Sequence, residues 1–176
     1  SGIGEENLVR IPVAGPLRTV AGVDVGVHDD MVRAAVVVLS FPELAPLERV
    51  VVDRPAAFPY VPGLLAFREC PVVLSAFEKL DVTPDLVIVD GQGYAHPRRF
   101  GLACHVGVVI DRPTIGCAKS RLIGTHAEPG AEAGSWVDLR DDGEVVGLVV
   151  RSKQGANPLY ISVGHKADLP TAMQHV

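Results

Sequence analysis

An uninterrupted apolar run, Leu86-Val-Ile-Val, ends in the carboxylate of Asp90 and is followed by glycines at 91 and 93. A short apolar run of this kind is typical of a strand that is buried on both faces, which indicates an α/β fold. A carboxylate at the carboxyl end of such a strand lies at the edge of the sheet, where open α/β folds bind their ligands. Asp90 is therefore the first candidate functional residue, and Gly91 and Gly93 are expected to let backbone approach a ligand closely.

The segments around this run predict a mixed sheet. Three β-rich stretches separated by turn residues precede it, and they pair most simply as an antiparallel meander. Strands are predicted at 18–27, 32–39, 47–53, 86–90, 106–110, 114–118, 136–139, 145–150 and 159–163, and helices at 64–70, 72–80, 98–104 and from 168. We therefore expect an α/β fold in which the three-strand meander joins parallel strands in one sheet flanked by helices.

The length and composition indicate one folded domain. The chain has 176 residues, enough for a single domain over 1–176, although 1–17 carry few periodic signals. No apolar run approaches the roughly 20 residues of a membrane span, and the N-terminus lacks a secretion signal pattern. The three cysteines have no CxxC spacing, which argues against a disulfide framework or a zinc site and favours a reducing compartment. We expect a cytoplasmic protein without membrane attachment.

The charge pattern is uneven. A net charge of −5 at pH 7 does not by itself suggest a nucleic-acid-binding protein. Basic residues nevertheless concentrate after residue 97, around Arg98 and Arg99 and around Lys119 and Arg121. A local basic face on an acidic protein is therefore expected.

Three acidic residues stand next to apolar sequence. Asp24 interrupts the first predicted strand, Glu69 lies in a predicted helix, and Asp90 ends the buried strand. If the two aspartates lie on neighbouring strands, a cation between them would relieve their repulsion, and Mg²⁺ is commonly held by one or two carboxylates and several waters. Taken singly, each acid is more simply a turn or cap residue, or a solvated helix pair with Arg68 in the case of Glu69.

Further polar groups complete a plausible reaction centre. His96, Lys119 and His165 each have an ordinary explanation as a loop or cap residue. Taken together with the acids, they are the parts of a metal-dependent phosphodiester cleavage site. In such a site carboxylates hold the metal, and a lysine or histidine offsets developing charge or positions the nucleophile.

Five motifs occur in one order along the chain. They are Ala21-Gly-Val-Asp24-Val, Pro59-Tyr60-Val-Pro-Gly63-Leu-Leu-Ala-Phe-Arg-Glu69, Val89-Asp90-Gly-Gln-Gly-Tyr-Ala-His96-Pro-Arg-Arg-Phe-Gly101, Pro113-Thr-Ile-Gly-Cys-Ala-Lys119-Ser-Arg-Leu122 and Gly164-His165. In this order and at these spacings the sequence resembles the endonuclease V family of deoxyinosine- and inosine-directed nucleases, from about Thr19 to the end. The resemblance implies an RNase H-like fold. It also implies an enzyme that hydrolyses the second phosphodiester bond 3′ to the inosine, leaving 3′-hydroxyl and 5′-phosphate ends, in DNA repair.

The resemblance also implies roles for individual residues. Asp24 and Asp90 would bind Mg²⁺, with Mn²⁺ as a substitute, and Glu69 would be the third acidic group. Lys119 and His165 would complete the catalytic cluster, and His96 would engage the strand near the cleaved phosphate. Arg98 and Arg121 would contact phosphates, which positions a nucleic acid more than it specifies sequence.

Base recognition is implied as well. Tyr60, held between prolines, would be the wedge that replaces a flipped base, since base–aromatic stacking is worth roughly 1–3 kcal/mol. The flipped hypoxanthine would lie against a pocket formed by Gly63, Leu65, Gly91, Gly101 and Leu102.

Two features depart from the family pattern, and two other functions stay open. The segment 1–17 matches poorly, and the chain is short beyond Gly164-His165, where family members continue with further helix. The alternatives are an inosine-binding protein with weak catalysis and an RNase H-like nuclease without base selection. The partner would be DNA or RNA containing inosine, and the sequence does not decide between them, because that choice depends on contacts to the 2′-hydroxyl. No obligate protein partner is evident.

Overall fold

The computed structural model describes residues 16–56 and 65–169, with the backbone alone described for 65–69. Within these residues the chain forms eight strands and two helices. They are β1 (Thr19–His28), β2 (Met31–Ser40), β3 (Pro46–Pro55), α1 (Leu65–Glu78), β4 (Leu86–Asp90), α2 (Leu102–Ile110), β5 (Thr114–Ala118), β6 (Trp136–Asp141), β7 (Glu144–Val150) and β8 (Leu159–Val163).

All eight strands form one mixed sheet in the order β3-β2-β1-β4-β5-β8-β7-β6. The first three strands are an antiparallel meander, and β1, β4 and β5 run parallel. β8 is antiparallel to β5, and it joins the β6–β7 hairpin to the rest of the sheet. The predicted mixed sheet, in which an antiparallel meander joins parallel strands, is confirmed.

The two faces of the central strands have different surroundings. Ala21 and Val23 of β1 and Val87 and Val89 of β4 share one buried cluster with residues of both helices, among them Val73 of α1. Because side chains alternate along a strand, Asp24 and Asp90 belong to the opposite face. The helices therefore cover one side of β1 and β4, and the two aspartates are presented on the other.

The helices differ from the predicted ones. The stretches 64–70 and 72–80 form the single helix α1, which continues through Pro71. Cys70, Val72 and Val73 around this proline are buried in one cluster, so packing outweighs the missing hydrogen bond of the proline. The last predicted helix, from 168, falls almost entirely outside the described residues.

The predicted strand 106–110 is wrong, because it is the second half of α2. The predicted helix 98–104 therefore starts later, at Leu102. Ala103, Val106 and Ile110 reach the core cluster at helical spacing, and a short apolar run does not by itself distinguish strand from helix.

The three cysteines differ in burial. Cys70 and Cys104 are buried, Cys117 is half-buried, and all three are free thiols.

Among the helices in the described ranges, none is long and apolar enough to cross a membrane.

Candidate active site

Two aspartates stand side by side where β1 and β4 run parallel. The register ends with Val23 opposite Val89, so Asp24 and Asp90 are the next residues on the two strands. Adjacent strands lie about 5 Å apart, and residues in register share a face. β4 ends at Asp90, whereas β1 continues to His28. Beyond the two aspartates, β1 therefore continues without β4 beside it. At this edge of the sheet Asp24 is exposed and Asp90 is half-buried.

Lys119 reaches the same edge from the end of β5. Its Nζ lies 3.4 Å from Oδ2 of Asp90, and 80% of its side chain is exposed. Gln92 Nε2 donates a hydrogen bond of 3.0 Å to the carbonyl of Ser120, which ties the loop after β4 to the loop after β5. The structure thus brings Asp24, Asp90 and Lys119 together at one solvent-open site.

Several predicted site residues lie in regions that the structure does not fully describe. Glu69 lies in the second turn of α1 and Leu65 is its first residue, and for both only the backbone is described. Tyr60 and Gly63 lie outside the described residues. Their predicted roles stay predictions.

Three predicted pocket residues come together just after Asp90. A Cβ on Gly91 would contact the Leu102 side chain at 3.7 Å, an ordinary distance. Gly101 N donates a 2.9 Å hydrogen bond to the carbonyl of Gly93, and a Cβ on Gly101 would collide with the carbonyl of Gln92. Glycine at 101 is therefore needed so that the chain can return against 92–93 and start α2, whereas position 91 has room.

The side-chain position of Gly93 faces protein backbone. A Cβ on Gly93 would lie 2.9 Å from the carbonyl oxygen of Ser162 and closer still to that of Val163, and one on Gly116 would lie 2.5 Å from Gly93 N. Gly93 N donates to Ser162 Oγ at 2.9 Å. The expectation that Gly93 admits a ligand is thus corrected, since its missing side chain lets the loop pack on β5 and β8.

His96 is half-buried and oriented by its neighbour. Its Nδ1 accepts a 3.1 Å hydrogen bond from the backbone N–H of Arg98. Burial lowers the pKa of His96, and the charges of Arg98 and Arg99 act in the same direction. A neutral imidazole that accepts at Nδ1 carries its proton on Nε2, which makes Nε2 a hydrogen-bond donor suited to a phosphate oxygen. Arg98 and Arg121 are both exposed.

The sequence as a whole matches one protein family. The family described as Endonuclease V matches residues 5–176 of this chain. The chain belongs to the endonuclease V family. The match starts inside the segment 1–17, for which the motifs above gave no correspondence.

Individual members of the endonuclease V family are similar to this chain in sequence and in structure. Endonuclease V of Roseiflexus castenholzii is 54% identical over 162 residues, which cover 92% of this chain and 73% of the relative. The crystal structure of endonuclease V from Streptomyces avermitilis has a TM-score of 0.91 and 42% identity, and the match covers 97% of this chain and 76% of that chain. Endonuclease V of Ciona intestinalis, solved in complex with a 24mer DNA containing an inosine followed by a ribo-adenosine, has a TM-score of 0.82 and 27% identity over 96% of this chain and 82% of that one. The fold is thus the RNase H-like fold of the endonuclease V nucleases.

His165 is not part of the cluster around Asp90 in this endonuclease V structure. β8 runs antiparallel to β5 with Val163 opposite Ile115, so His165 follows β8 at the amino end of β5, whereas Lys119 follows the carboxyl end. The register places His165 opposite residue 113, so at about 3.3 Å per residue about 20 Å of strand separates its level from that of Lys119. The side chain of His165 is 5% exposed, and its Nε2 lies 3.0 Å from Asp111 Oδ1. The structure therefore corrects the prediction that His165 completes the catalytic cluster.

Arg99 also points away from Asp90, to residues that the sequence analysis missed. Its Nη2 lies 2.8 Å from Asp141 Oδ2 and its Nε lies 3.0 Å from Glu144 Oε1, at the turn of the β6–β7 hairpin. β7 is antiparallel to β8, and β8 is antiparallel to β5, so β7 runs in the same direction as β5. The turn precedes β7 and therefore lies at the amino end of β5, at the edge of the sheet opposite to Asp90. Acidic residues in a hairpin turn are solvated by default, so no local signal indicates such a partner.

Proposed function

We propose that this chain is a divalent-cation-dependent endonuclease that hydrolyses the second phosphodiester bond 3′ to a deoxyinosine or inosine, leaving 3′-hydroxyl and 5′-phosphate ends. The observation that carries this proposal is that Asp24 and Asp90 directly follow the last registered pair of two neighbouring parallel strands, with Lys119 beside Asp90. Membership of the endonuclease V family supports the same reaction class.

The carboxylates fit Mg²⁺, with Mn²⁺ as a substitute. Mg²⁺ prefers oxygen ligands and typically retains several waters besides one or two carboxylates. Within the residues whose side chains are described, no group of three or more His, Cys, Asp and Glu side chains could hold a metal, and the proposed third acid, Glu69, lies outside that set. Asp24 and Asp90 would hold the ion, which when bound polarises the phosphate and lowers the pKa of a bound water.

The remaining residues would bind and orient the nucleic acid and neutralise its negative charge. Lys119 places an ammonium beside Asp90, where it offsets the negative charge that develops on the cleaved phosphate. His96 Nε2, Arg98 and Arg121 are the proposed strand contacts. Their charge and hydrogen bonds position the backbone without reading its sequence.

Base selection is proposed to depend on residues 60–65 and on residues 91–102, which follow β4. Tyr60 would fill the place of the flipped base, and Gly63, Leu65, Gly91, Gly101 and Leu102 would line its pocket. The close approach of Gly91 to Leu102 supports a shared wall. The Ciona relative supports inosine as the recognised base, because its structure contains DNA with an inosine.

The test is cleavage of 5′-labelled strands that differ at one base. We compare deoxyinosine with deoxyadenosine in one sequence, as DNA, as RNA with inosine, and with a single ribo-adenosine after the inosine, each with Mg²⁺. The expected result is one cut at the second bond 3′ to the inosine, with ends that accept polymerase extension and ligation. Equal cutting of the adenosine strand would instead show a nuclease without base selection, and binding without cutting would show a catalytically weak inosine-binding protein.

Two matched variants test whether the candidate active site carries out the cleavage. Asp90→Asn keeps the shape of the side chain and removes its charge, and we expect cleavage to fall by about 1,000-fold. Asp138→Asn is the control, because Asp138 lies on β6 at the far side of the sheet. Equal activity of the two variants would overturn the proposal.

A cytoplasmic location is also proposed. The three free thiols support a reducing compartment. Fractionation of cells that express the chain, with antibody detection, tests this location.

A further inference from the structure

A network of side chains ties residues 94–99, here named the His96 segment, to residues 141–144, the hairpin turn between β6 and β7. Glu144 is its centre, because Oε2 accepts a 2.5 Å hydrogen bond from the hydroxyl of Tyr94 and Oε1 accepts one of 3.0 Å from Arg99 Nε. Asp141 Oδ2 accepts from Arg99 Nη2 at 2.8 Å. The hairpin turn thus holds both ends of the segment.

Arg99 uses each of its three guanidinium nitrogens. Besides Asp141 and Glu144, it donates from Nη1 to the carbonyl of His96 at 3.0 Å, and its backbone N–H donates to the same carbonyl at 2.8 Å. The guanidinium also lies 5.8 Å from the centre of the Tyr94 ring. Lysine carries its three donors on a single nitrogen, so it would not reproduce contacts that arginine makes from three separate nitrogens in one plane.

These contacts hold a backbone conformation that is disfavoured at Arg99. Arg99 has φ 54°, a left-handed conformation that is disfavoured for residues with a side chain. Tyr94 is 4% exposed and packs in the cluster of the β6–β8 region. Between these two fixed points lies His96, whose Nδ1 is held by the N–H of Arg98.

We propose that the hairpin turn positions the substrate strand, because Asp141 and Glu144, acting through Arg99 and Tyr94, hold the His96 segment in the conformation that presents His96 and Arg98 to the phosphates. This inference rests on the proposed function for the identity of the substrate. Asp141, Glu144 and Arg99 are positioning residues, since they act through the segment and not on the reacting atoms.

Kinetics with the deoxyinosine strand test the inference. The test variants are Arg99→Lys and the double variant Asp141→Asn/Glu144→Gln, which keep size and remove the fork or the charges. We expect KM to rise about tenfold with kcat within about twofold, because the lost contacts serve binding while Asp24, Asp90 and Lys119 are unchanged. Combining all three substitutions should raise KM no further than either variant alone, since they interrupt one network. Asp142→Asn, at an exposed position of the same turn, is the matched control and should behave as wild type.

A second readout does not depend on cleavage. The pKa of His96 is measured by NMR titration of its imidazole, assigned with His96→Gln. Burial lowers this pKa in the wild type, so release of the segment should raise it toward the ordinary value in Arg99→Lys and leave it unchanged in Asp142→Asn.

The outcomes separate the two proposals. Cleavage by wild type with unchanged KM and unchanged His96 pKa in the test variants overturns the inference and leaves the proposed function standing. Failure of wild type to cleave overturns the proposed function, and the His96 titration then decides alone whether the hairpin turn holds the segment. A fall in kcat without a rise in KM would also overturn the inference.

Discussion

Lys119 Nζ lies 3.4 Å from Asp90 Oδ2 across the carboxyl ends of two parallel strands, while 80% of the lysine side chain is exposed. An ion pair this exposed adds little to the free energy of unfolding, because water screens the charges. The importance of the contact lies in the place where it puts a positive charge, next to a carboxylate at an open edge of the sheet.

Replacement of Lys119 by methionine should separate activity from stability. We expect the cleavage rate constant of Lys119→Met to fall about 100-fold, as when a group that stabilises transition-state charge is removed. The free energy of unfolding should change by less than about 0.5 kcal/mol. Single-turnover cleavage and urea unfolding measure the two, with Lys153→Met at another exposed position as the control. A stability loss large enough to account for the lost activity would contradict the assignment.

Gly26 should tolerate a larger side chain structurally but not functionally. It lies two residues beyond Asp24 on the same face of β1, a Cβ there would meet nothing within 4 Å, and its φ is outside the left-handed region. Valine favours strands, so Gly26→Val should keep the free energy of unfolding or raise it by about 0.5–1 kcal/mol. Cleavage should fall about tenfold, since the new side chain would stand beside Asp24 where the substrate must pass.

A second glycine substitution, which should lower the free energy of unfolding, serves as the control. In Gly116→Ala the new Cβ would lie 2.5 Å from Gly93 N, and overpacking should lower the free energy of unfolding by about 1–3 kcal/mol. Thermal unfolding and cleavage are measured on both variants. If Gly26→Val cleaves as fast as the wild type, the nucleic-acid strand does not pass this face of β1.

His165 should matter for stability and not for chemistry. It is buried, and its backbone N–H donates to Thr114 Oγ1 at 2.9 Å while Nε2 meets Asp111. We expect His165→Gln to lower the free energy of unfolding by about 1–3 kcal/mol and to keep kcat within about twofold at a temperature well below unfolding. A large loss of kcat with unchanged stability would return His165 to the catalytic cluster.

The thiol of Cys70 should make the fold sensitive to alkali. This residue is 3% exposed, and burial raises the pKa of the thiol from 9.0 to about 12. Above about pH 9 the unfolded chain releases a proton that the native chain retains, so the stability that is fully present below this pH falls as pH rises toward 12, by up to about 1.4 kcal/mol per pH unit. Urea unfolding between about pH 8 and pH 11 should show a steeper decline for wild type than for Cys70→Ala. Equal slopes would exclude this contribution.

Much of the sheet follows from local sequence patterns. The meander and the β6–β7 hairpin have turn residues between β-rich stretches, and the apolar run of β4 ends at its carboxylate as predicted. α2 was not predictable in this way, because its apolar residues 106–110 suit either structure until Ala103 and Val106 have a core to pack against. Pro71 suggested a boundary that the packing of α1 removes.

The site depends on relations between strands that no single motif contains. Asp24 and Asp90 lie on adjacent strands because β1 and β4 are parallel, and each directly follows the last paired residues, Val23 and Val89. A Gly-His pair after a strand gives the same sequence signal at either edge of a sheet, and only the antiparallel direction of β8 places His165 away from Asp90. Arg99 is a similar case, because its partners lie more than forty residues further along the chain.

The position of β8 in the sheet sets the order in which the molecule can be completed during synthesis. Among the strands of the described ranges, the β6–β7 hairpin joins the sheet through β8, which is made after it. A nascent chain that has reached residue 119 already contains Asp24, Asp90 and Lys119, but β8 (Leu159–Val163), which connects the β6–β7 hairpin to β5, is made later. The residues of the proposed metal site are thus all synthesised before the turn that contacts the His96 segment, so the two parts of the proposed site depend on stretches of chain that are completed at different times.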